Sequence, residues 1–179
     1  LNQADLTSDD MYYTKAEMKS MIQNYRKLGL DIIPEFDTPA HSLSFTKVRP
    51  DLRFGTTGRQ NDHFNLNTKY DESLAFVESI WDEYIKGDDP VFDRDTIVNI
   101  GTDEYDGQYT EQFRKFTDDL LAYIQDNGNT VRLWGSLTAR SGSTSVRSEG
   151  VQMNIWNDGW ANPKAMYQQG YDLIDMNDG

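Results

Sequence analysis

The chain has 179 residues, a length that suits one domain and is too short for two of ordinary size. Its 30 acidic side chains outnumber 17 Lys and Arg and give a formal net charge of -13, which argues against nucleic acid and anionic membranes as partners, because both would be repelled. The chain has no cysteine, so disulfides, thiol catalysis and cysteine-bound zinc are excluded.

Helical patterns recur along the whole chain. Thr14 and Glu17 have the spacing of a capping box, and apolar residues then follow at helical intervals until Gly29 ends the helix. Near the other end, Asn162 and Pro163 are the residue types expected at the N-cap and first position of a short helix. Two further helices are predicted over 71–85 and about 110–125.

Five apolar runs, most of them separated by these helices, predict a parallel sheet. Each run ends in a polar or aromatic cluster, and the carboxyl ends of parallel strands meet at one face, where α/β folds place active sites. Five strands are fewer than the eight of a closed barrel, so the predicted fold is α/β, either an open sheet or an incomplete (β/α)8 TIM-barrel segment. The predicted strands are 30–33, 96–100, 130–134, 151–156 and 171–176.

The ends of the chain and one long connection add to this prediction. The polar start lacks a methionine and the end directly follows an apolar run, so we expect a single domain over 1–179 that is an excised segment of a longer protein. The weakly periodic stretch 42–70 is expected to be an elaborated loop on the active face.

Two adjacent carboxylates follow the strand predicted at 96–100. In a partly desolvated pocket, the pKa values of Asp103 and Glu104 could be pushed apart, so that one stays protonated while the other stays charged. Most acidic pairs in a chain with 30 acids are solvated surface charges. The position of this pair directly after an apolar strand and a glycine favours a catalytic role.

The two histidines have different surroundings. Asp37 and His41 lie four residues apart at another predicted strand end, where a histidine can orient a carboxylate or move a proton. An ordinary polar loop histidine is an equally good interpretation of that residue type alone. His63 has no comparable context and is expected to be such a loop residue.

Tryptophans close two of the predicted strands. Trp134 and Trp156 could stack on the apolar face of a sugar ring at the mouth of a barrel, although core packing is the commoner fate of tryptophan. Trp81 fits core packing because it lies on the apolar face of a helix, and Trp160 could serve either purpose.

In this order, Tyr13-Thr14, residues 34–41 (Pro-Glu-Phe-Asp-Thr-Pro-Ala-His) and residues 100–104 (Ile-Gly-Thr-Asp-Glu) resemble glycoside hydrolase family 20. That family contains β-N-acetylhexosaminidases and lacto-N-biosidases, and its members are (β/α)8 barrels. The resemblance extends from about Tyr12 to Gly179 and implies that the chain is a partial catalytic barrel without its first strands and its last.

The resemblance implies a role for each matching residue. Glu104 would be the general acid, and Asp103 would orient the 2-acetamido group of the substrate, which is the nucleophile in this family. His41 would support the acid with Asp37 beside it. The two tryptophans at the predicted strand ends, Trp134 and Trp156, would enclose the acetamido group and the sugar ring.

The sequence also departs from the family pattern. The usual Pro-Gly-His is Pro39-Ala40-His41 here, and we expect a different turn because alanine tolerates positive φ poorly. The early-strand arginine and aspartate that grip the sugar, a tyrosine expected just after Gly179 and a late tryptophan are expected to lie outside this chain.

Three functions remain open at this point. The first is a retaining exo-β-N-acetylhexosaminidase or lacto-N-biosidase with a carbohydrate substrate and no cofactor or metal. The second is a sugar-binding or structural fragment without turnover, and the third is a metal-dependent α/β hydrolase that uses Asp37, His41, Asp103 and Glu104 as ligands. Exposed sheet edges predict self-association. The resemblance implies an extracellular or cell-wall-attached, bacterial location.

Overall fold

A computed structural model describes residues 10–177. Its centre is a five-stranded sheet in which every neighbouring pair is parallel and the spatial order follows the order along the chain. The predicted α/β class is therefore confirmed. The strands are β1 Glu35–Thr38, β2 Val98–Gly101, β3 Val131–Trp134, β4 Val151–Ile155 and β5 Asp172–Asp175.

The helices begin where the sequence places their caps. The Thr14 side chain accepts a hydrogen bond from the backbone of Glu17, whose carboxylate accepts one from the backbone of Thr14 in return. The Asn162 side chain likewise accepts a hydrogen bond from the backbone N–H of Ala165. The helices are α1 Lys15–Arg26, α2 Leu43–Val48, α3 Tyr70–Ile85, α4 Thr110–Asp126 and α5 Pro163–Gln168, with short 3-10 helices at Pro50–Leu52, Gly58–Asp62 and Gly107–Tyr109.

The first strand differs from its prediction. The sequence favours a buried strand over 30–33, but Leu30 is 56% exposed, and strand pairing begins where Asn99 N–H donates to the Pro34 carbonyl oxygen. The apolar run 30–33 ends before the pairing starts, and among the described strands β1 pairs only with β2. The polar residues at 35–38 thus lie in the strand itself, not in a loop after it.

The sheet is covered by a core that α3 and α4 share. All four residues of β2 are buried, as expected of a central strand in a parallel sheet. Trp81 of α3 is fully buried, which confirms the core role predicted for it, and α4 contributes Phe113, Phe116 and Leu120 to the same core. This core fixes the ends of β1 and β2 relative to each other.

The connection between β1 and α3 is long but structured. It contains α2 and two short 3-10 helices, and an isolated antiparallel bridge joins Arg53 to Phe64. The buried Tyr105 hydroxyl, just after β2, donates to the Phe64 carbonyl oxygen at 2.8 Å and accepts from Leu66 N–H at 3.2 Å. These bonds hold the connection against the carboxyl end of the sheet. Among the described helices, none has the length and apolar character needed to cross a membrane.

Burial in this core predicts a stability effect. Leu120→Ala, at a fully buried position, should lower the free energy of unfolding by about 2–5 kcal/mol, because it removes apolar contacts and leaves a cavity. Leu28→Ala is the matched control, since Leu28 is 74% exposed, and should change the value by less than about 0.5 kcal/mol. Urea denaturation measures both. Equal losses in the two variants would contradict the described core.

Candidate active site

The turn after β2 carries the two adjacent carboxylates along a left-handed backbone path. Gly101, Thr102 and Glu104 have φ values of 75°, 68° and 49°. Non-glycine residues seldom adopt such values, and they cluster where the surrounding structure enforces them. One restraint is the 3.0 Å hydrogen bond from Thr102 N–H to the Thr38 carbonyl oxygen of β1. The turn is thus fastened to the neighbouring strand end.

Gly101 lets the ends of β1 and β2 approach each other closely. A Cβ atom at this position would lie 2.5 Å from Cα of Asp37, well inside van der Waals contact. Because glycine has none, the Asp37 carboxyl packs directly against β2 and beside Asp103. Burial, together with the charge of Asp103, raises the pKa of Asp37 to about 9.

His41 follows β1 in a turn of its own. Its φ is 52°, whereas the alanine before it is fully buried and is not among the residues with positive φ. Ala40 itself therefore avoids the positive φ that alanine tolerates poorly, because the left-handed position falls one residue later, at His41. The hydroxyl of Ser42 donates to the carbonyl oxygens of Asp37, at 3.0 Å, and Ala40, at 2.8 Å, and so closes the turn.

The His41 ring faces both carboxylates after β2. Its Nε2 lies 3.2 Å from Oε2 of Glu104 and 3.6 Å from Oδ2 of Asp103. The Asp103 carboxylate is the main cause that raises the pKa of His41 to about 9, which favours a cationic ring at neutral pH. The four predicted site residues Asp37, His41, Asp103 and Glu104 are thus together at the carboxyl ends of β1 and β2.

Trp134 joins this cluster through a carboxylate that the sequence analysis did not select. Its Nε1–H donates to Oε2 of Glu35 at 2.9 Å, and the side-chain amide of Asn99 donates to the same oxygen at 2.6 Å. Burial raises the pKa of Glu35. Glu35 lies two residues before Asp37 on β1, and residues two apart on a strand face the same side, so period-two spacing was a usable signal.

Trp156, at the end of the next strand, is held differently. Its Nε1–H donates to the Gly135 carbonyl oxygen at 3.0 Å, and its ring stacks on Trp160 with centroids 5.6 Å apart. The Arg140 guanidinium lies over the other indole, 4.6 Å from the Trp160 centroid. Trp160 therefore belongs to the same aromatic group as Trp156.

His63 is not the ordinary loop histidine that the sequence analysis expects. It is 3% exposed, its Nδ1 is 2.7 Å from Oδ1 of Asp62, and its ring stacks on Tyr105. Burial lowers the pKa of His63. A cavity of about 140 Å³ beside it is lined by His41, Arg59, Asp62, His63 and Glu104. No local pattern marks this position, because the fold of the 42–70 connection brings it to the site.

Three of the clustered side chains are arranged so that they could hold a cation. One ligand atom each from Asp37, His41 and Asp103 lies within 4.8 Å of the others. Carboxylate oxygens and an imidazole nitrogen form a mixed donor set that several divalent metals accept. The raised pKa of Asp37 opposes this use, since a metal ligand has to be deprotonated.

The raised pKa values predict a dependence of stability on pH. Between the ordinary histidine value of 6.5 and about 9, the folded state keeps protons on Asp37 and His41 that the unfolded state releases. The contribution of Asp37 to stability is therefore lost as the pH rises from 3.8 to about 9, and that of His41 as it rises from 6.5 to about 9. Asp37→Asn resembles the protonated side chain, so its free energy of unfolding should fall less steeply between pH 6.5 and 9.

Urea denaturation at several pH values measures these slopes. The control is Asp51→Asn, since Asp51 is an exposed partner of Arg49 in the same connection and its pKa is lowered by that guanidinium. This variant should keep the slope of the unmodified protein. Identical slopes for Asp37→Asn and the unmodified protein would contradict the raised pKa of Asp37.

Comparison with curated proteins finds similar chains among hexosaminidases and lacto-N-biosidases. The chain is 23% identical to a lacto-N-biosidase of Bifidobacterium bifidum over 91% of its own length and 16% of the relative's. It is 31% identical to human β-hexosaminidase subunit beta over 59% of its length and 19% of the relative's. A β-hexosaminidase of Akkermansia muciniphila is 24% identical, over 83% of this chain and 34% of the relative's. The chain thus spans about a third or less of the length of these relatives.

Solved structures share the fold. The tandem catalytic modules of the pneumococcal exo-β-D-N-acetylglucosaminidase match with a TM-score of 0.78 and 19% identity, over 92% of this chain and 44% of that one. A chitobiase of Flavobacterium johnsoniae matches with a TM-score of 0.75 and 18% identity, over 97% of this chain and 30% of that one. The family model "Glycosyl hydrolase family 20, catalytic domain" matches residues 2–113, more than half of the chain. The chain belongs to glycoside hydrolase family 20.

Proposed function

We propose that the protein hydrolyses terminal β-linked N-acetylhexosamine, or lacto-N-biose, from glycans with retention of configuration. The observation that carries this proposal is the adjacent pair Asp103 and Glu104 at the end of β2, with both carboxylates within 4 Å of His41. The names of the relatives, lacto-N-biosidase and β-hexosaminidase, support the same substrate class.

Glu104 is the proposed general acid. Its side chain is 35% exposed and lines the cavity next to His41, so an incoming glycosidic oxygen can reach it. Proton transfer from Glu104 to that oxygen accompanies cleavage of the bond to the anomeric carbon. Glu104 then accepts a proton from water in the second step.

Asp103 is the proposed partner of the acetamido group. Its side chain is 15% exposed, less than half the value for Glu104, and one buried oxygen has no hydrogen-bond partner among the described residues. In the proposed reaction, the Asp103 carboxylate accepts the acetamido N–H while the acetamido oxygen attacks the anomeric carbon. The resulting oxazolinium ion is opened by water, so no enzyme nucleophile is required across the bond.

The remaining predicted residues are proposed to bind and position the sugar. Trp134 and Trp156, at the ends of β3 and β4, would offer apolar ring faces to the sugar and its acetamido methyl group. Asp37, protonated near neutral pH, would place a neutral carboxyl beside Asp103 without adding a second charge. The positive charge of His41 would stabilise the two carboxylates electrostatically.

A chromogenic N-acetyl-β-glucosaminide assay tests the reaction. We expect release of the chromophore from this substrate and not from the matching β-glucoside, because only the acetamido sugar carries the nucleophile. Glu104→Gln should reduce kcat at least about a hundredfold by removing the proton donor. Glu111→Gln is the matched control, since Glu111 lies at the start of α4, where its carboxylate accepts hydrogen bonds from Ser143 and Thr144.

Several outcomes would contradict the proposal. Equal release of the chromophore from the plain β-glucoside would contradict the role proposed for Asp103. Full activity in Glu104→Gln would remove the assigned acid. Failure of the unmodified protein to act on either N-acetylhexosaminide or lacto-N-bioside would favour a sugar-binding or structural function without turnover.

A metal-dependent hydrolase is the second candidate, favoured by the close grouping of Asp37, His41 and Asp103. The two candidates differ in their response to a chelator. Activity that survives EDTA supports the substrate-assisted reaction. Activity lost in EDTA and restored by a divalent cation supports the metal-dependent one.

We also propose that the described strands are part of an incomplete barrel and that the chain associates through its sheet edges. Each of β1 and β5 pairs with one neighbour among the described strands. The segment before β1 exposes several large apolar side chains, namely Tyr12, Tyr13, Tyr25, Leu28 and Leu30. Exposed edges and apolar surface both favour association.

Sedimentation velocity tests this association. We expect the weight-average mass to increase with protein concentration, and Leu28→Asp should reduce the increase by placing a charge on the exposed surface. A monodisperse monomer at every concentration would contradict it.

For location, the similarity to bacterial relatives supports the proposal of an extracellular or cell-wall-attached bacterial protein.

A further inference from the structure

The side of His41 that faces away from Asp103 and Glu104 lies near a further acidic residue, Asp62. Oδ2 of Asp62 is 3.8 Å from Nδ1 of His41, while Oδ1 of the same carboxylate is 2.7 Å from Nδ1 of His63. One carboxylate therefore lies between two imidazole rings: it is hydrogen-bonded to His63 and within ion-pair distance of His41, since 3.8 Å is too long for a hydrogen bond. The function described so far uses neither Asp62 nor His63.

His63 holds this carboxylate from a rigid position. Its ring is 3% exposed and stacks on Tyr105 with centroids 5.0 Å apart, and the Tyr105 hydroxyl is itself hydrogen-bonded to Phe64. Its Nε2 is buried and has no hydrogen-bond partner among the described residues. The only side-chain hydrogen bond of His63 thus goes to Asp62.

The backbone joins the two histidine segments into one unit. Ser42 N–H donates to the Asp62 carbonyl oxygen at 2.7 Å, and Phe64 N–H donates to the Pro39 carbonyl oxygen at 2.8 Å. These bonds lie on either side of His41 along the first segment and on either side of His63 along the second. The distance between the rings is therefore fixed by backbone as well as by side chains.

We propose that Asp62, held in place by His63, positions the imidazole of His41 against the two carboxylates after β2. The inference rests on the proposed hydrolytic function for its kinetic consequences. Asp62 is a positioning residue, because it reaches the proposed acid only through His41. The same pattern, a carboxylate behind a histidine that serves a reacting group, fixes ring orientation in other hydrolases.

The charged groups around His41 determine how the effect of a substitution at Asp62 is interpreted. A single change at Asp62 leaves the other charges in place, so loss of its positioning effect can be measured against a constant background. The titratable and charged groups that face His41 are Glu35, Asp37, Asp103 and Glu104 from the ends of β1 and β2, and Arg59, Asp62 and His63 from the connection.

Kinetics of Asp62 and His63 variants test the inference. Asp62→Asn should lower kcat about tenfold with KM changed by less than about twofold, since ring orientation acts on the chemical step. Asp62→Glu should recover part of the loss. His63→Phe keeps a ring against Tyr105 and should lower kcat by a smaller factor, and the double variant should be no slower than Asp62→Asn because both act through one carboxylate.

A measurement without substrate separates this inference from the proposed activity. The imidazole NMR signals of His41 should shift in Asp62→Asn and also in His63→Phe, although His63 reaches His41 only through Asp62. Asp51→Asn, at an exposed aspartate of the same connection, should leave these signals and kcat unchanged. Unmoved signals in His63→Phe, an unchanged kcat in Asp62→Asn, or independent losses in the double variant would each overturn the inference.

Discussion

The arrangement of the site depends on the close approach of the ends of β1 and β2 at Gly101. A side chain at this position would overlap Asp37, so any larger residue would force the two strand ends apart. The approach brings a carboxyl from one strand against a carboxylate from the other, and burial then keeps Asp37 protonated. Backbone packing at one glycine thereby controls the charge of the cluster, since a more open arrangement would admit water and ionise both acids.

Charge balance follows from this constraint. Burial and the charge of Asp103 raise the pKa values of Glu35 and Asp37, and His41 is the cation that faces them. If all three carboxyls were ionised, their repulsion in a partly buried place would destabilise the fold. A proton on one of them and a charge on the imidazole remove most of that repulsion. The left-handed residues of the two turns are tolerated because the turn after β2 is hydrogen-bonded to β1 and the His41 turn is hydrogen-bonded to residues 62–64.

The sequence was sufficient to predict the parts of the structure that local chemistry determines. The capping box at Thr14, the order of the elements and the grouping of four site residues at strand ends all follow from short patterns. The first strand was predicted too early because apolar content marks burial better than pairing, and Leu30 is exposed. His63 could not be predicted because its neighbours in the sequence say nothing about Tyr105, which reaches it from beyond β2.

The two backbone hydrogen bonds that join residues 39–42 to residues 62–64 have an evolutionary consequence. The chain between them, 43–61, is an excursion whose two ends are tied together at the sheet. Its length and composition can change while the ends stay in register, because closing a longer loop adds only a small entropic penalty. Such changes would remodel the cavity wall at Arg59 and leave His41 in place. In the proposed hydrolase, selectivity for the group next to the scissile bond would therefore change independently of the position of His41.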